Sequence, residues 1–360
     1  MPESIADRIR SEIRQIEDPN TGAPLGDAVA AVAVSGNKAA IEIVLGYPAL
    51  GWAAQLERSI RARLHGQDAI EAVTVEIRSR INAHAVQDGL KPIEGVKNII
   101  AIASGKGGVG KSTVAANLAL AIQAEGASVG VLDADIYGPS QPRMLGLSGR
   151  PETTDNKRIL PMNAHGLQAM SIGVLVDVDQ AMIWRGPMAT QALSQMLSET
   201  LWQDLDYLII DLPPGTGDVQ LTLAQRIPVA GSIIVTTPQD VALDDVRRAV
   251  AMFRKVKLPV LGIVENMSTH ICSNCGHEEA VFGHGGGARM AAETGLPLLA
   301  QLPLESELGR STDQGRPIVA VDPEHPVALR FREMARRATG RLARQSVNTE
   351  IRMPKITITE

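Results

Sequence analysis

One segment restricts the fold more than any other. Gly105-Lys106-Gly107-Gly108-Val109-Gly110-Lys111-Ser112 fits the pattern G-x-x-x-x-G-K-[ST], with an apolar run at 99–103 before it and helical spacing over 113–123 after it. A strand that feeds such a loop into a helix is a phosphate-binding unit. Its glycines let backbone N–H groups turn inward around α- and β-phosphates, and the helix N-terminus adds the positive end of its dipole. Lys111 would reach the β- and γ-phosphates and Ser112 would ligate Mg2+, so ATP with Mg2+ is the expected cofactor. A glycine-rich turn that only joined strand to helix would require neither this spacing nor this order.

The surrounding pattern agrees. Apolar strands are expected at 129–132, 167–171, 207–210, 232–236 and 260–265, alternating with helices, which predicts an α/β P-loop NTPase domain with a largely parallel sheet over 98–344. Acidic residues follow two of these strands, at the carboxyl ends where open α/β sheets bind ligands. Asp211 is placed to hold Mg2+ directly or through water, and either Asp133 or Asp135 would orient the attacking water. Helix capping is the structural alternative for these aspartates.

Before this domain, Ile5, Ile9, Ile13 and Ile16 recur at helical spacing, two strands at 28–34 and 39–45 flank a turn at Ser35-Gly36-Asn37-Lys38, and a helix (53–64) and a strand (72–78) follow. Residues 1–90 therefore predict a small α+β domain, 91–97 a linker with Gly89-Leu90-Lys91-Pro92 at its entry, and 345–360 a flexible tail or an added edge strand. Arg330, Arg332, Arg336, Arg337, Arg341 and Arg344 crowd the last helix, 328–344, and read as a solvated outer face rather than a lipid or nucleic-acid contact.

The chain contains two cysteines, Cys272 and Cys275, in Ile271-Cys272-Ser273-Asn274-Cys275-Gly276. Two thiolates supply half of a four-ligand zinc or iron–sulfur site. A two-fold homodimer would set two such pairs face to face and complete it. Two other arrangements stay open: zinc within one chain, with His270, His277 or His284 as further ligands, and a thioredoxin-like dithiol. The net charge of −5 argues against direct nucleic-acid binding. No apolar stretch reaches membrane-spanning length and residues 1–16 lack a secretory core, so a cytoplasmic protein with no membrane contact is expected.

The extra lysine in Gly105-Lys106-Gly107-Gly108-Val109-Gly110-Lys111-Ser112-Thr113 resembles the deviant phosphate loop of dimeric ATPases that include Min-type, Par-type and nitrogenase iron proteins. Four segments resemble the Mrp-type iron–sulfur cluster carriers within that group: Asp133-Ala134-Asp135-Ile136-Tyr137-Gly138-Pro139-Ser140, Trp184-Arg185-Gly186-Pro187-Met188, Asp211-Leu212-Pro213-Pro214-Gly215-Thr216-Gly217-Asp218, and Glu265-Asn266-Met267-Ser268. The resemblance runs from about 96 to 339. It implies that Lys106 reaches across the dimer to the partner's nucleotide, Asp135 orients water in the first switch, Asp211 opens the second, and Asn266 reads the adenine. It implies an ATPase that carries a labile cluster, [4Fe–4S] bridging the Cys272/Cys275 pairs, between a cluster-assembly scaffold and apo iron–sulfur proteins. The N-terminal unit resembles the small iron–sulfur-assembly domain that often precedes this ATPase. That domain often carries a cysteine near the positions of Tyr47–Trp52; this chain has none there, so partner docking is expected of it. Two other functions remain: a Min/Par-like positioning ATPase acting on membrane or DNA through a partner, and electron transfer as in nitrogenase iron proteins.

Overall fold

A computed structural model describes residues 4–66, 70–87, 89–154, 158–176 and 186–347. The N-terminal part runs α1 (Ile5–Arg14), β1 (Glu17–Asp18), β2 (Ala23–Pro24), β3 (Val29–Ser35), β4 (Lys38–Leu45), α2 (Leu50–Leu64) and β5 (Ala72–Ser79). β3 and β4 form an antiparallel hairpin, and α2 crosses over to lay β5 parallel to β4. Ile41, Ile43 and Leu45 alternate inward along β4 and meet Ile9 and Ile13 of α1 and Trp52, Leu56 and Ile60 of α2 in one core.

The larger part runs β6 (Val96–Ser104), α3 (Lys111–Ala124), β7 (Val129–Asp133), α4 (Gln141–Leu145), β8 (Met162–Ala164), β9 (Leu167–Ser171), α5 (Gly186–Glu199), β10 (Leu205–Asp211), α6 (Asp218–Arg226), β11 (Gly231–Thr236), α7 (Asp240–Lys255), β12 (Val260–Ile271), β13 (Glu278–Glu279), α8 (Gly286–Thr294), β14 (Leu298–Leu304), α9 (Ser306–Asp313), α10 (Ile318–Val321) and α11 (Pro326–Leu342). Among the described residues its sheet is parallel in the order β14-β12-β11-β6-β10-β7-β9, with β8 and β13 antiparallel at the margins. Helices cover both faces, so β10 and β11 are buried almost throughout and read as unbroken apolar runs rather than alternating ones. One core gathers α3 and α11 through Val114, Leu118, Ile122, Phe331 and Met334. The other gathers α5, α6 and α7 through Leu193, Leu223, Val250 and Phe253. From β6 the chain proceeds to β7 and β9 on one side and later to β11 and β12 on the other. The switch in strand order thus falls at the carboxyl end of β6, where the P-loop begins.

The structure corrects the reading of the arginine helix. Arg332 Nε and Arg336 Nη1 donate to Glu125 Oε1 at 2.9 and 2.7 Å, the Glu125 side chain is fully buried, and its Oε2 accepts the backbone N–H of Gly51 at 2.7 Å. Leu50 N also donates to Glu125 O at 3.2 Å, and Arg344 Nη1 to Thr21 O at 3.3 Å. Part of the arginine face is therefore an internal clamp that fastens the N-terminal unit to α3 and α11. A charge stripe on a helix looks the same in sequence whether water or a buried carboxylate faces it. A Cβ at Gly51 would come within 2.7 Å of Glu125 Oε1 and 2.8 Å of Arg332 Nη2, so a side chain there would push the clamp groups aside. At the tail, Val347 bridges His84 in antiparallel fashion and Ser346 O accepts Ala85 N at 2.9 Å; residues 348–360 lie outside the described residues.

Candidate functional site

At the P-loop, Gly108 and Gly110 both take φ of +79°, a left-handed conformation costly for residues with a Cβ. Gly105 is also needed for packing, since a Cβ would come within 2.3 Å of Asp245 Cβ and 2.7 Å of its backbone carbon, and a Cβ at Gly110 would displace the Asn266 amide. The loop floors a cleft of about 250 Å3 lined by Lys106, Gly107, Lys111, Ser112, Thr113 and Asp135, among others.

Four of the site residues read from the sequence converge here. Lys111 is 5% exposed and pairs with Asp211 Oδ1, 3.2 Å from Ser112 Oγ and 4.0 Å from Asp135 Oδ2. Burial raises the Asp135 carboxyl above its ordinary value, against the pull of Lys111. Lys106 is half-buried on the cleft wall, and the Ser104 hydroxyl donates to its backbone carbonyl at 2.9 Å.

Asp133 separates from Asp135 in role. Its side chain is fully buried and accepts from Asp135 N (3.1 Å), Ser140 N (3.0 Å), Gln141 N (3.0 Å) and Ser171 Oγ (3.1 Å). Burial, and after it the charge of Asp211, push this carboxyl up to about 7, while the backbone N–H groups of Gln141 and Asp135 and the Lys111 charge pull it down. Asp133 thus ties the start of α4 to β7 and β9, the capping alternative, and Asp135 is the aspartate that lines the cleft. Gln141 has no motif signal in the sequence, yet its buried amide donates to both Ser112 O (3.0 Å) and Asp211 Oδ2 (2.9 Å).

Asn266 lies under the loop, its Nδ2 donating to Val109 O at 2.9 Å. β12 extends past 265, where the apolar run ends, to Ile271, and hands the chain to a hairpin closed by β13. Cys272 and Cys275 sit at its tip, the first half-buried and the second exposed. Cys272 N donates to His277 O at 2.9 Å and Gly276 N to Cys272 O at 2.8 Å. The backbone N–H groups of Asn274 and Cys275, with the Cys275 thiol, hold the Cys272 thiol below its ordinary value. Among the described residues no set of three or more Cys, His, Asp or Glu converges to hold a metal. Trp184 and Arg185 lie outside the described residues, while Met188, at the start of α5, is exposed.

A P-loop at the switch point of a parallel sheet, with acidic residues at the ends of β7 and β10, defines a P-loop NTPase. Within that class the chain belongs to the NUBPL iron-transfer P-loop NTPase family, whose model matches residues 95–339. Residues 6–77 match the model of an iron–sulfur cluster assembly protein. An iron–sulfur cluster carrier protein of Pseudomonas fragi is 56% identical over 270 residues, spanning 74% of this chain and 94% of that one. The carrier of Deinococcus radiodurans is 42% identical over 323 residues, 89% of this chain and 90% of its own, so that similarity includes much of the N-terminal unit. Among solved structures, a nucleotide-binding protein of Archaeoglobus fulgidus in complex with ADP superposes with a TM-score of 0.58 at 37% identity, over 66% of this chain and 93% of that one. The cell-division ATPase MinD of Pyrococcus furiosus, with a TM-score of 0.51 at 23% identity over 67% of this chain and 97% of its own, shares the fold.

Proposed function

We propose that the protein is an iron–sulfur cluster carrier that works as a homodimer, holds a labile [4Fe–4S] cluster as cargo between two Cys272/Cys275 pairs, and uses ATP binding and slow hydrolysis to load or release it. The observation that carries the reading is the path of β12. The strand passes through Asn266, bonded to the P-loop, and ends at Ile271, one residue before Cys272, with a break in register after Asn266 where Met267 takes φ of +56°. A change at the nucleotide can therefore reach the thiolates along one strand. Two half-sites that meet only when subunits close can also part again, whereas a site closed within one chain cannot release cargo as easily.

The donor set fits Mg2+: Ser112 Oγ and the carboxylates of Asp135 and Asp211 gather around the Lys111 ammonium. When bound, Mg2+ offsets charge on the β- and γ-phosphate oxygens. Lys111 serves the same charge from the loop, and Lys106 of the partner subunit would add a second ammonium on dimer closure. Asp135 orients the attacking water, and the carbonyl oxygen of Asn266 is left to accept from an adenine amino group. Cargo passes from an assembly scaffold to apo iron–sulfur proteins in the cytoplasm. A membrane-positioning role finds no support in α11, whose apolar face of Phe331, Met334, Ala335 and Leu342 is buried in the core. Among the described residues no helix is long and apolar enough to cross a membrane.

Anaerobic reconstitution with iron and sulfide tests the proposal. The native dimer is expected to bind about four iron and four sulfide, and Cys272→Ser to lose them. A colourless native protein holding zinc, or no metal, overturns it. Lys111→Ala is expected to keep cluster binding and abolish hydrolysis and delivery; unimpaired delivery removes ATP from the mechanism.

A further inference from the structure

Three segments of the nucleotide site are joined by one uncharged side chain. The Gln141 amide uses its two N–H bonds on the carbonyl of Ser112, in the first turn of α3, and on Oδ2 of Asp211, at the end of β10. The other carboxylate oxygen, Oδ1, belongs to Lys111. Gln141 is 1% exposed, and its own N–H is fixed by Asp133 Oδ2, which Ser140 N and Ser171 Oγ also bond. The amide is therefore anchored from behind before it reaches forward.

The remaining atom, Gln141 Oε1, is buried with no hydrogen-bond partner. A buried orphan acceptor is costly. A leucine at 141 would avoid that cost, so filling space alone gives no reason for an amide here.

We infer that Gln141 is a positioning residue for Mg2+-dependent nucleotide binding, holding the Asp211 carboxylate in register with Ser112. This rests on the reading of the site as an ATP·Mg2+ site. The physical need is specific. Lys111 has two calls on its ammonium, Asp211 and the phosphates, and once the phosphates compete for it Asp211 would lose its strongest fixed partner. Gln141 keeps one oxygen, Oδ2, and so presents Oδ1 toward Ser112. An amide does this without titrating and without adding charge, which a lysine or a third nearby carboxylate could not. The Oε1 acceptor beside the same carboxylate suits an O–H donor such as a water held by the cation.

The test uses full-length Gln141→Leu and Gln141→Met, both of which remove the amide while keeping bulk, with binding of a fluorescent ATP analogue measured in EDTA and across a Mg2+ titration. Affinity in EDTA is expected to stay within about twofold of native. The Mg2+ concentration for half-maximal tightening should rise about tenfold, the size of a lost hydrogen bond to a charged group, and kcat should fall more than KM rises. A Mg2+ dependence equal to native in both variants overturns the inference, as does an equal loss of affinity with and without Mg2+ together with a lowered Tm, which marks a packing role. Ser112→Ala, run alongside, separates the two readings. If the native protein binds the analogue with no Mg2+ dependence for Ser112→Ala to remove, the nucleotide-site reading fails and takes this inference with it; a normal native response beside unaltered Gln141 variants defeats the Gln141 role alone.

Discussion

The two ends of α3 hold the two buried charge clusters that organise the molecule, and they are balanced in opposite ways. At the C-terminal end one carboxylate, Glu125, faces two guanidiniums and a backbone N–H. At the N-terminal end one ammonium, Lys111, faces Asp211 and Asp135, with Asp133 buried behind them. Both Glu125 carboxylate oxygens have donors inside the protein, while Arg336 Nε is buried without a partner. Around Lys111 the carboxylates outnumber the ammonium in direct contact with them, and Lys106 stands on the wall of the same cleft.

Removing the minority charge at the clamp should have the largest effect on stability. Glu125→Ala leaves the part-buried Arg332 and Arg336 without their shared carboxylate, and is expected to lower unfolding free energy by about 3 kcal/mol in denaturant titrations, with earlier proteolysis between the two units. A loss under about 1 kcal/mol would dismiss the clamp as a surface pair. Removing a majority charge at the site should do the reverse. Asp135→Asn is expected to cut ATP turnover about a hundredfold or more while leaving stability unchanged or slightly raised; a large loss of stability would place Asp135 with the structural cluster.

The pH response sharpens the contrast. Burial raises the Asp133 pKa from the unfolded value of 3.8 to about 7. Between those values the unfolded chain loses a proton that the native state keeps, so this group's contribution to stability is present at pH 4 and drains away as pH approaches 7. Urea unfolding at pH 5 and pH 8 should therefore show a fall in the native protein that is reduced in Asp133→Asn, and equal falls would acquit Asp133. The smallest effect is expected at the exposed rim: Arg344→Ala loses one bond to Thr21 O and should change stability by no more than about 0.5 kcal/mol.

Legibility along the chain followed the physics of each feature. β6, β7, β10 and β11 could be placed to within two or three residues, because a strand buried on both faces has to be apolar throughout. The convergence of Lys111, Ser112, Asp135 and Asp211 was legible, because the loop pattern has fixed spacing and the acidic residues stand at strand ends. β8, β13 and β14 went unread; the first two are three and two residues long, and β14 is interrupted by Pro303 and alternates only loosely. Gln141 was invisible for a different reason, since one glutamine in a five-residue helix carries no pattern until β10 and the P-loop arrive beside it.

What the linear chain determined was local: the backbone freedom of Gly108 and Gly110, the phosphate-loop order, the thiolate pair two residues apart, and the apolar periods that make strands and helices. These are consequences of a residue and its near neighbours. What only the tertiary structure decided was which charges meet. Glu125 lies 207 and 211 positions from Arg332 and Arg336, and Gln141 lies 70 from Asp211. Whether a charge faces water or another charge depends on the packing of whole elements, and burial then magnifies the difference, because in a low-dielectric interior a partner is worth far more than it is at the surface.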